Sequence, residues 1–80
     1  MVNEEALARQ EIIERVSQKH KRREWLVLNV SNKLGIKGDF VEGILHQLVS
    51  EGLVKFEQIN GVEMVSIGEK LKDSGSFGHG

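Results

Sequence analysis

The dipeptide Asn60-Gly61 is the strongest constraint that the sequence places on the fold. It separates two short segments rich in apolar and β-branched residues, Leu53–Ile59 and Val62–Ile67. Asn-Gly suits the two positive-φ positions of a tight hairpin turn, so we predict an antiparallel pair of strands here.

Two helical segments precede the hairpin and are expected to share one buried interior with it. Val30–Ile36 reads as a short amphipathic helix that Gly35 can close. A second helix is predicted after it, with Asp39 as its N-cap and Gly52 at its end. The apolar residues of this second helix recur at helical spacing: Val41, Ile44, Leu45 and Leu48.

The N-terminal part of the chain predicts a charged amphipathic helix. Asn3 is the expected N-cap, and Glu4 and Glu5 then place negative charge in the first turn, where the helix dipole favours it. We expect this helix to end at about Lys19–Arg22. The next apolar segment, Trp25–Leu28, is too short for a helix of its own and rich in residues that favour sheets, so it predicts a short strand that pairs with the hairpin.

Together these segments predict an α+β fold with the order helix, strand, helix, helix, strand, strand. Eighty residues make a single domain, which we place at residues 1–72, followed by a flexible Gly/Ser-rich tail at 73–80. Trp25 and Phe40 are expected to cover the edges of the core. The predicted core residues are Ile13, Val16, Leu26, Leu28, Val30, Leu34, Ile36, Val41, Ile44, Leu45, Leu48, Leu53, Val54, Phe56, Val65, Ile67 and Leu71.

In this order of elements the chain resembles the winged-helix (winged helix-turn-helix) superfamily, over roughly residues 10–72. The resemblance implies a three-helix core with a β-hairpin wing. It implies no single function, because this fold serves DNA binding, RNA binding and protein contact. The residues that carry it are Val30-Ser31, Leu34-Gly35-Ile36, the spacing of Val41, Leu45 and Leu48, Glu51-Gly52-Leu53-Val54, and Ser66-Ile67-Gly68-Glu69-Lys70.

A narrower similarity, in length and element spacing, is to the small winged-helix proteins that accompany dissimilatory sulfite reductase. The wing of those proteins carries an aromatic residue followed by a run rich in Ser, Gly and Thr. The corresponding stretch here, Phe56-Glu57-Gln58-Ile59-Asn60-Gly61, departs from that pattern. The broader winged-helix resemblance is therefore the one that guides the functional prediction.

In DNA-binding winged helices the second helix of the motif enters the major groove, and the resemblance implies a set of DNA contacts. The candidates are cations and hydrogen-bond donors: Lys33, Lys37, His46, Gln47, Lys55 and Asn60. Asp39 and Glu42 oppose this reading, because carboxylates near the DNA backbone weaken the counterion-release contribution to affinity. We expect Asp39 to act as an N-cap instead, and Glu42 to lie on a solvated helix face.

The run Lys19-His20-Lys21-Arg22-Arg23 is the one concentrated positive patch in the sequence. As a binding patch it would contact phosphates or another acidic surface. As the last turn of a helix it would instead compensate the negative end of the helix dipole, and both interpretations stay open. Residues 25–67, which include the predicted helix-turn-helix, carry three Lys against five Asp and Glu.

Phe40 and Gly43 suggest a protein contact. Phe40 is an outward aromatic residue that either packs against the first helix or touches a partner. A glycine inside a helix costs about 1 kcal/mol relative to alanine. Gly43 therefore indicates that the first helix or another chain approaches closely, or that the cost is tolerated.

The sequence contains no motif for catalysis, a cofactor or a metal. Cysteine is absent, and His20, His46 and His79 lack the spacing of metal ligands. We find no phosphate-binding glycine loop and no nucleophile–histidine arrangement. From the lack of these motifs we expect a protein that is not an enzyme and needs no cofactor. No apolar run reaches the roughly 18 residues of a membrane span, so we expect it to be cytoplasmic.

Three functions stay open at this point. The first is a DNA-binding transcriptional regulator, expected to act as a dimer on double-stranded DNA. The second is a protein-interaction module or accessory subunit that uses Phe40 and Gly43 or the N-terminal helix. The third is RNA binding by the basic run together with Trp25. We favour the first, on the strength of the resemblance rather than of the charge.

Overall fold

The computed structural model describes residues 3–71, which form three helices and one three-stranded sheet. The elements are α1 (Glu4–Gln18), β1 (Lys21–Arg22), α2 (Arg23–Leu34), α3 (Gly38–Ser50), β2 (Val54–Ile59) and β3 (Val62–Ile67). The predicted α+β order is confirmed, with a three-helix core and a hairpin wing. The predicted tail at 73–80 lies outside the described residues.

The hairpin forms at the predicted turn. Asn60 has φ 53° and Gly61 has φ 78°, the two positive values of a type I′ turn, whose twist matches that of the flanking strands. β2 and β3 pair antiparallel from Val54↔Ile67 to Ile59↔Val62. β1 pairs with the other edge of β3, so the strand order is β1-β3-β2.

The short strand exists, but its predicted position at Trp25–Leu28 is wrong. That segment belongs to α2, where Leu26 and Val30, four residues apart, are both fully buried. Trp25 and Leu28 lie on the outer face of the helix and are 42% and 59% exposed, so Leu28 is not a core residue. A short apolar run does not distinguish strand from helix, and here the helical spacing of the buried residues decides.

α1 ends earlier than predicted. Its N-cap is confirmed, since the Asn3 Oδ1 accepts hydrogen bonds from the backbone N–H groups of Glu5 (2.9 Å) and Ala6 (3.3 Å). The helix stops at Gln18, and Lys19 is its C-cap in an extended conformation. The basic run therefore does not form a last helical turn, and compensation of the helix dipole does not account for it.

The connection between α2 and α3 differs from the prediction at one residue. Gly35 closes α2 as expected, with the left-handed φ of 66°. The N-cap of α3, however, is Lys37, whose carbonyl accepts from the backbone N–H groups of Phe40 and Val41. Asp39 lies inside the first turn without a side-chain capping bond, so its predicted role as N-cap is wrong.

All three helices and the sheet share one apolar core. Ala8 and Ile12 of α1 belong to it and were absent from the predicted set. Leu34, Ile36, Leu53, Phe56 and Ile67 are only partly buried and pack around it. The buried cluster consists of Ala8, Ile12, Val16, Leu26, Val30, Val41, Ile44, Leu45, Leu48, Val54 and Val65.

The base of the wing is joined to the end of α3 through backbone groups. The Gly68 N–H donates to the Leu53 carbonyl at 2.8 Å, and the Lys70 N–H donates to the Gly52 carbonyl at 3.1 Å. A Cβ atom on Gly68 would lie 2.4 Å from the Gly52 carbonyl oxygen, so a larger residue does not fit without a shift. Over residues 3–71, no helix is long and apolar enough to cross a membrane.

Candidate nucleic-acid interface

The exposed face of α3 is centred on Gly43. Each helical residue turns by about 100°, which places Asp39 and Gln47 within about 40° of Gly43, with His46 and Phe40 at the borders of the face. These positions are all exposed. The opposite side of α3 is buried in the core through Val41, Ile44, Leu45 and Leu48.

The wing lies next to this face of α3. The ring of Phe56 on β2 meets the ring of His46 edge-on, with centroids 5.6 Å apart and an interplanar angle of 84°. One surface therefore combines the exposed side of the second helix of the motif with a strand of the wing.

Arg23, at the start of α2, contacts both α3 and the wing. Its Nη2 donates to the Glu42 Oε1 at 2.6 Å, and its Nη1 donates to the Glu63 Oε1 at 2.8 Å. The guanidinium carbon also lies 4.4 Å from the centroid of the Phe56 ring, within the range of a cation–π contact. We call Arg23, Glu42, Glu63 and Phe56 the Arg23 cluster; it joins α2, α3, β2 and β3.

The charges of the Arg23 cluster compensate one another. Hydrogen bonding to Glu42, and more weakly to Glu63, raises the pKa of Arg23 above its ordinary value, against an opposing effect of burial. The prediction that Glu42 merely faces solvent is wrong, because its carboxylate is held by Arg23. The guanidinium of Arg23 is therefore bound by side chains of the same chain.

The structure divides the basic run into differently placed groups. Lys19 is exposed, and the Lys21 ammonium lies 5.4 Å from the centroid of the Trp25 ring. Arg22 is exposed and, among the described arginines, is the one without an ion pair; Arg9, Arg15 and Arg23 are all paired. Lys19, Lys21 and Arg22 are therefore the members of the run with charge available to a partner.

Lys33 lies on a different part of the surface from the wing. Its Nζ is 3.0 Å from the Glu11 Oε2 of α1, and Glu11 also pairs with Arg15. We call these three residues the α1–α2 cluster. Hydrogen bonding to Lys33, followed by Arg15, lowers the pKa of Glu11 below its ordinary value, although partial burial opposes this.

The other predicted DNA contacts are near α3 or on the wing. Lys37 is exposed at the start of α3, Gln47 is exposed on its outer face, and Asn60 is exposed at the hairpin tip. The Lys55 ammonium lies 3.8 Å from a carboxylate oxygen of Glu57. The structure thus brings Lys37, His46, Gln47, Lys55 and Asn60 to α3 and the adjoining wing.

Phe40 and Gly43, the predicted protein contacts, differ in their surroundings. Phe40 is 40% exposed and lines a shallow groove together with Glu4 of α1 and the segment Gly35–Lys37. An added Cβ on Gly43 would meet no heavy atom within 4 Å. Close approach of α1 to Gly43, one of the predicted explanations, is therefore wrong.

An open groove on the outer side of α2 was not anticipated from the sequence. It has a volume of about 720 Å³ and reaches α3. The signal was present, since Trp25 and Leu28 are three residues apart and offset from the buried Leu26 and Val30. The lining residues are Arg22, Glu24, Trp25, Val27, Leu28, Ser31, Gly38 and Glu42.

Charge on these surfaces is nearly balanced. The cations near α3, the wing and the start of α2 are Lys21, Arg22, Arg23, Lys37 and Lys55. The carboxylates on the same elements are Glu24, Asp39, Glu42, Glu57 and Glu63. A nucleic acid would meet a polar surface with little net charge. Within residues 3–71 no group of three or more His, Asp or Glu side chains is arranged to hold a metal ion.

Comparison with known proteins agrees with this fold. No protein-family model matches the chain, and no curated protein matches it at a significant level. Among solved structures it is similar to the homodimeric winged helix-turn-helix DNA-binding domain of a possible ArsR-family transcriptional regulator from Mycobacterium bovis. The TM-score is 0.62 at 19% sequence identity, and the match covers 90% of this chain but 64% of the solved one, less than two thirds of its length.

The predicted winged-helix resemblance is therefore confirmed at the level of the fold. At 19% identity the similarity establishes the architecture alone. Function has to be argued from the surfaces described above.

Proposed function

We propose that this chain is a small winged-helix DNA-binding protein that acts as a transcriptional regulator. The observation that carries the proposal is that α3 and the wing form one continuous surface, held together by Arg23. A helix and a neighbouring ribbon on one surface can contact the major groove and the adjacent DNA at the same time. The similar Mycobacterium bovis domain is itself described as homodimeric and DNA-binding, which supports a dimer on double-stranded DNA.

The proposed contacts follow from the placement of each side chain. α3 has 13 residues and is therefore about 20 Å long, and a helix of ordinary diameter fits the major groove. His46 and Gln47 would reach base edges there, and Lys37 would reach a phosphate beside the start of α3. Lys55 and Asn60 would contact the DNA from the wing.

Only some residues of the basic run are assigned phosphate contacts in this proposal. Lys19, Lys21 and Arg22 are assigned to phosphates, because their charges are available. Arg23 and Lys33 are not assigned phosphate contacts, because both already form ion pairs within the protein. Arg23 pairs with Glu42 and Glu63, and Lys33 pairs with Glu11. The balance of charge predicts weak non-specific binding, so affinity for a preferred sequence must come mainly from α3.

Salt-dependent titration tests the proposal. Binding to a mixed-sequence duplex of about 25 base pairs, followed by fluorescence anisotropy, should be detectable at about 50 mM salt and fall steeply by about 200 mM. The double variant Lys21→Gln/Arg22→Gln should reduce the slope of log K against log salt by roughly 1.8, about 0.9 for each lost phosphate contact.

Lys33→Gln is the matched control, because it removes one positive charge that faces α1. Its salt slope should equal that of the unmodified protein. Absence of binding at low salt would refute the proposal. A loss of slope of about 0.9 in the control, half that of the double variant, would refute the assignment of phosphates to Lys21 and Arg22.

A second candidate function, a protein-interaction module, is favoured by the groove along α2. It contains the exposed Trp25 and Leu28 beside the unpaired Arg22, and Trp and Arg are enriched at the energetic centres of protein interfaces. If this function is correct, the protein should form a dimer or a hetero-complex by light scattering without DNA. The double variant Trp25→Ser/Leu28→Ser should then dissociate this complex. If the unmodified protein is a monomer and the double variant binds DNA as tightly as it does, this candidate is excluded.

A further inference from the structure

We propose that Gly43 is the point at which the backbone of α3 itself approaches the DNA, with no side chain in between. This inference rests on the proposed DNA-binding function and adds the contact geometry within that interface. It predicts that the identity of residue 43 sets the depth of α3 in the major groove and hence the affinity.

Among residues 3–71, nothing around Gly43 requires a glycine. Gly35, Gly52 and Gly61 all have positive φ values, which other residues adopt at a cost. Gly68 packs against the backbone of Gly52, where a Cβ would not fit. Gly43 shows neither feature, because its φ is not positive and an added Cβ would have open space.

Because Gly43 lies inside α3, the glycine lowers the stability of the helix. It lies five residues after the start of the helix and seven before its end, where glycine is less favourable than alanine. The proposal attributes this cost to a contact outside the protein, because among residues 3–71 nothing lies close to the missing side chain.

The surroundings of Gly43 indicate which contact this is. It occupies the centre of the exposed face, with Asp39 and Gln47 on either side and His46 beside the wing. Because position 43 has no side chain, the backbone of α3 is exposed there beside Gln47 and His46, whose polar side chains extend beyond it. A groove with polar edges, such as the major groove of DNA, would let these groups form hydrogen bonds while the backbone of the helix approaches closely.

Gly43→Ala tests the inference through two opposite effects. The melting temperature should rise by about 4–8 °C, because alanine is the better helix former and its methyl group has room. Affinity for a duplex that the unmodified protein binds should fall at least tenfold. Gly43→Leu should weaken binding further while keeping α3 helical by circular dichroism.

Ser17→Ala is the matched control, since Ser17 is an exposed residue inside α1 and outside the proposed interface. It should raise the melting temperature slightly and leave DNA affinity unchanged. Stabilisation of Gly43→Ala together with its loss of affinity supports the proposal.

Each of the other outcomes overturns it. Unchanged affinity in Gly43→Ala means that the glycine is merely tolerated. A shift from dimer to monomer in that variant without DNA means that the contact is to another protein chain. Failure of the unmodified protein to bind any duplex at low salt refutes the proposed function itself, and this is seen before any variant is made.

Discussion

The two ion clusters of this small domain have opposite compositions. In the α1–α2 cluster one carboxylate, Glu11, lies between two cations, Arg15 and Lys33. In the Arg23 cluster one guanidinium lies between two carboxylates, Glu42 and Glu63. The net charge is therefore positive within the α1–α2 cluster and negative within the Arg23 cluster, which borders the proposed DNA interface.

If the proposed function is correct, this difference means that the charge of the Arg23 cluster does not add to DNA affinity. Reversing the two arrangements would give a basic surface beside α3 with the same net charge. The observed arrangement instead joins the wing to α2 and α3, and it predicts weak non-specific attraction to DNA. A protein of this kind would depend on its base contacts for affinity and would be released readily from other sequences.

The clusters also differ in the sequence distance that they bridge. Glu11 and Arg15 are one helical turn apart, so part of the α1–α2 cluster stabilises α1 locally. Arg23 bonds to residues 19 and 40 positions away and stacks on an aromatic ring. The Arg23 cluster should therefore contribute more to the tertiary structure.

Replacing Arg23 should give the largest effect. Arg23→Gln removes two ion pairs and the cation–π contact from a side chain that is 22% exposed, which should lower the free energy of unfolding by about 1–2 kcal/mol. Two carboxylates would then lie unpaired beside α3, so DNA affinity should fall as well. Chemical denaturation and anisotropy measure the two effects.

Arg23→Lys provides the control for charge. It keeps the positive charge but not the planar group that binds two carboxylates and stacks on Phe56. It should recover much of the DNA affinity and little of the stability. Full stability in Arg23→Lys would show that charge alone, and not geometry, holds the wing.

Neutralising the acids of the same cluster should have the opposite effect on DNA binding. Glu42→Gln/Glu63→Gln frees the Arg23 guanidinium and removes two negative charges from the proposed interface. Affinity for mixed-sequence DNA at low salt should rise several-fold, while stability falls by roughly 0.5–1 kcal/mol through loss of the ion pairs.

Glu4→Gln/Glu14→Gln changes the net charge by the same amount on α1 and is the appropriate comparison. A similar rise in affinity for both double variants would mean that net charge, and not the location of the Arg23 cluster, controls binding.

Glu11 should give the smallest effect, and that effect should depend on pH. Because hydrogen bonding to Lys33 and Arg15 lowers its pKa in the folded protein, Glu11 stabilises the fold above its unfolded pKa of roughly 4.3, and the contribution is lost as the pH falls through the lower folded value. Glu11→Gln should cost about 0.5 kcal/mol at pH 7, and this cost should disappear as the pH falls through the lowered pKa of Glu11.

The neighbouring Glu14→Gln serves as the control, because Glu14 is exposed on the same helix. Thermal melts from pH 2 to 7 should show convergence of Glu11→Gln with the unmodified protein in acid. A difference in stability that stays constant with pH would contradict the assigned role of Glu11. DNA affinity should be unaffected by either variant.

Local signals in the sequence were sufficient for much of the fold. Asn60-Gly61 predicts the hairpin because only a few dipeptides suit a type I′ turn, and Gly35 predicts the end of α2 for the same conformational reason. The apolar spacing of α3 identified its buried side. In the candidate site, this was enough to place His46, Gln47 and Gly43 on one exposed face.

The errors arose where tertiary contacts decide the structure. The short apolar run Trp25–Leu28 fits a strand as well as a helix, and only the packing of Leu26 into the core selects the helix. The role of Arg23 could not be predicted, since Glu42 and Glu63 are distant in sequence and come together only after α3 and the wing have packed.

The two ends of the wing are attached by different kinds of contact. Near Gly52 and Gly68 the attachment is made by peptide groups, which are the same whatever side chains surround them. Nearer the tip it depends on the side chains of Arg23, Phe56 and Glu63, each of which a single substitution can alter. Substitutions there should therefore change the position of the tip and leave the base of the hairpin attached to α3.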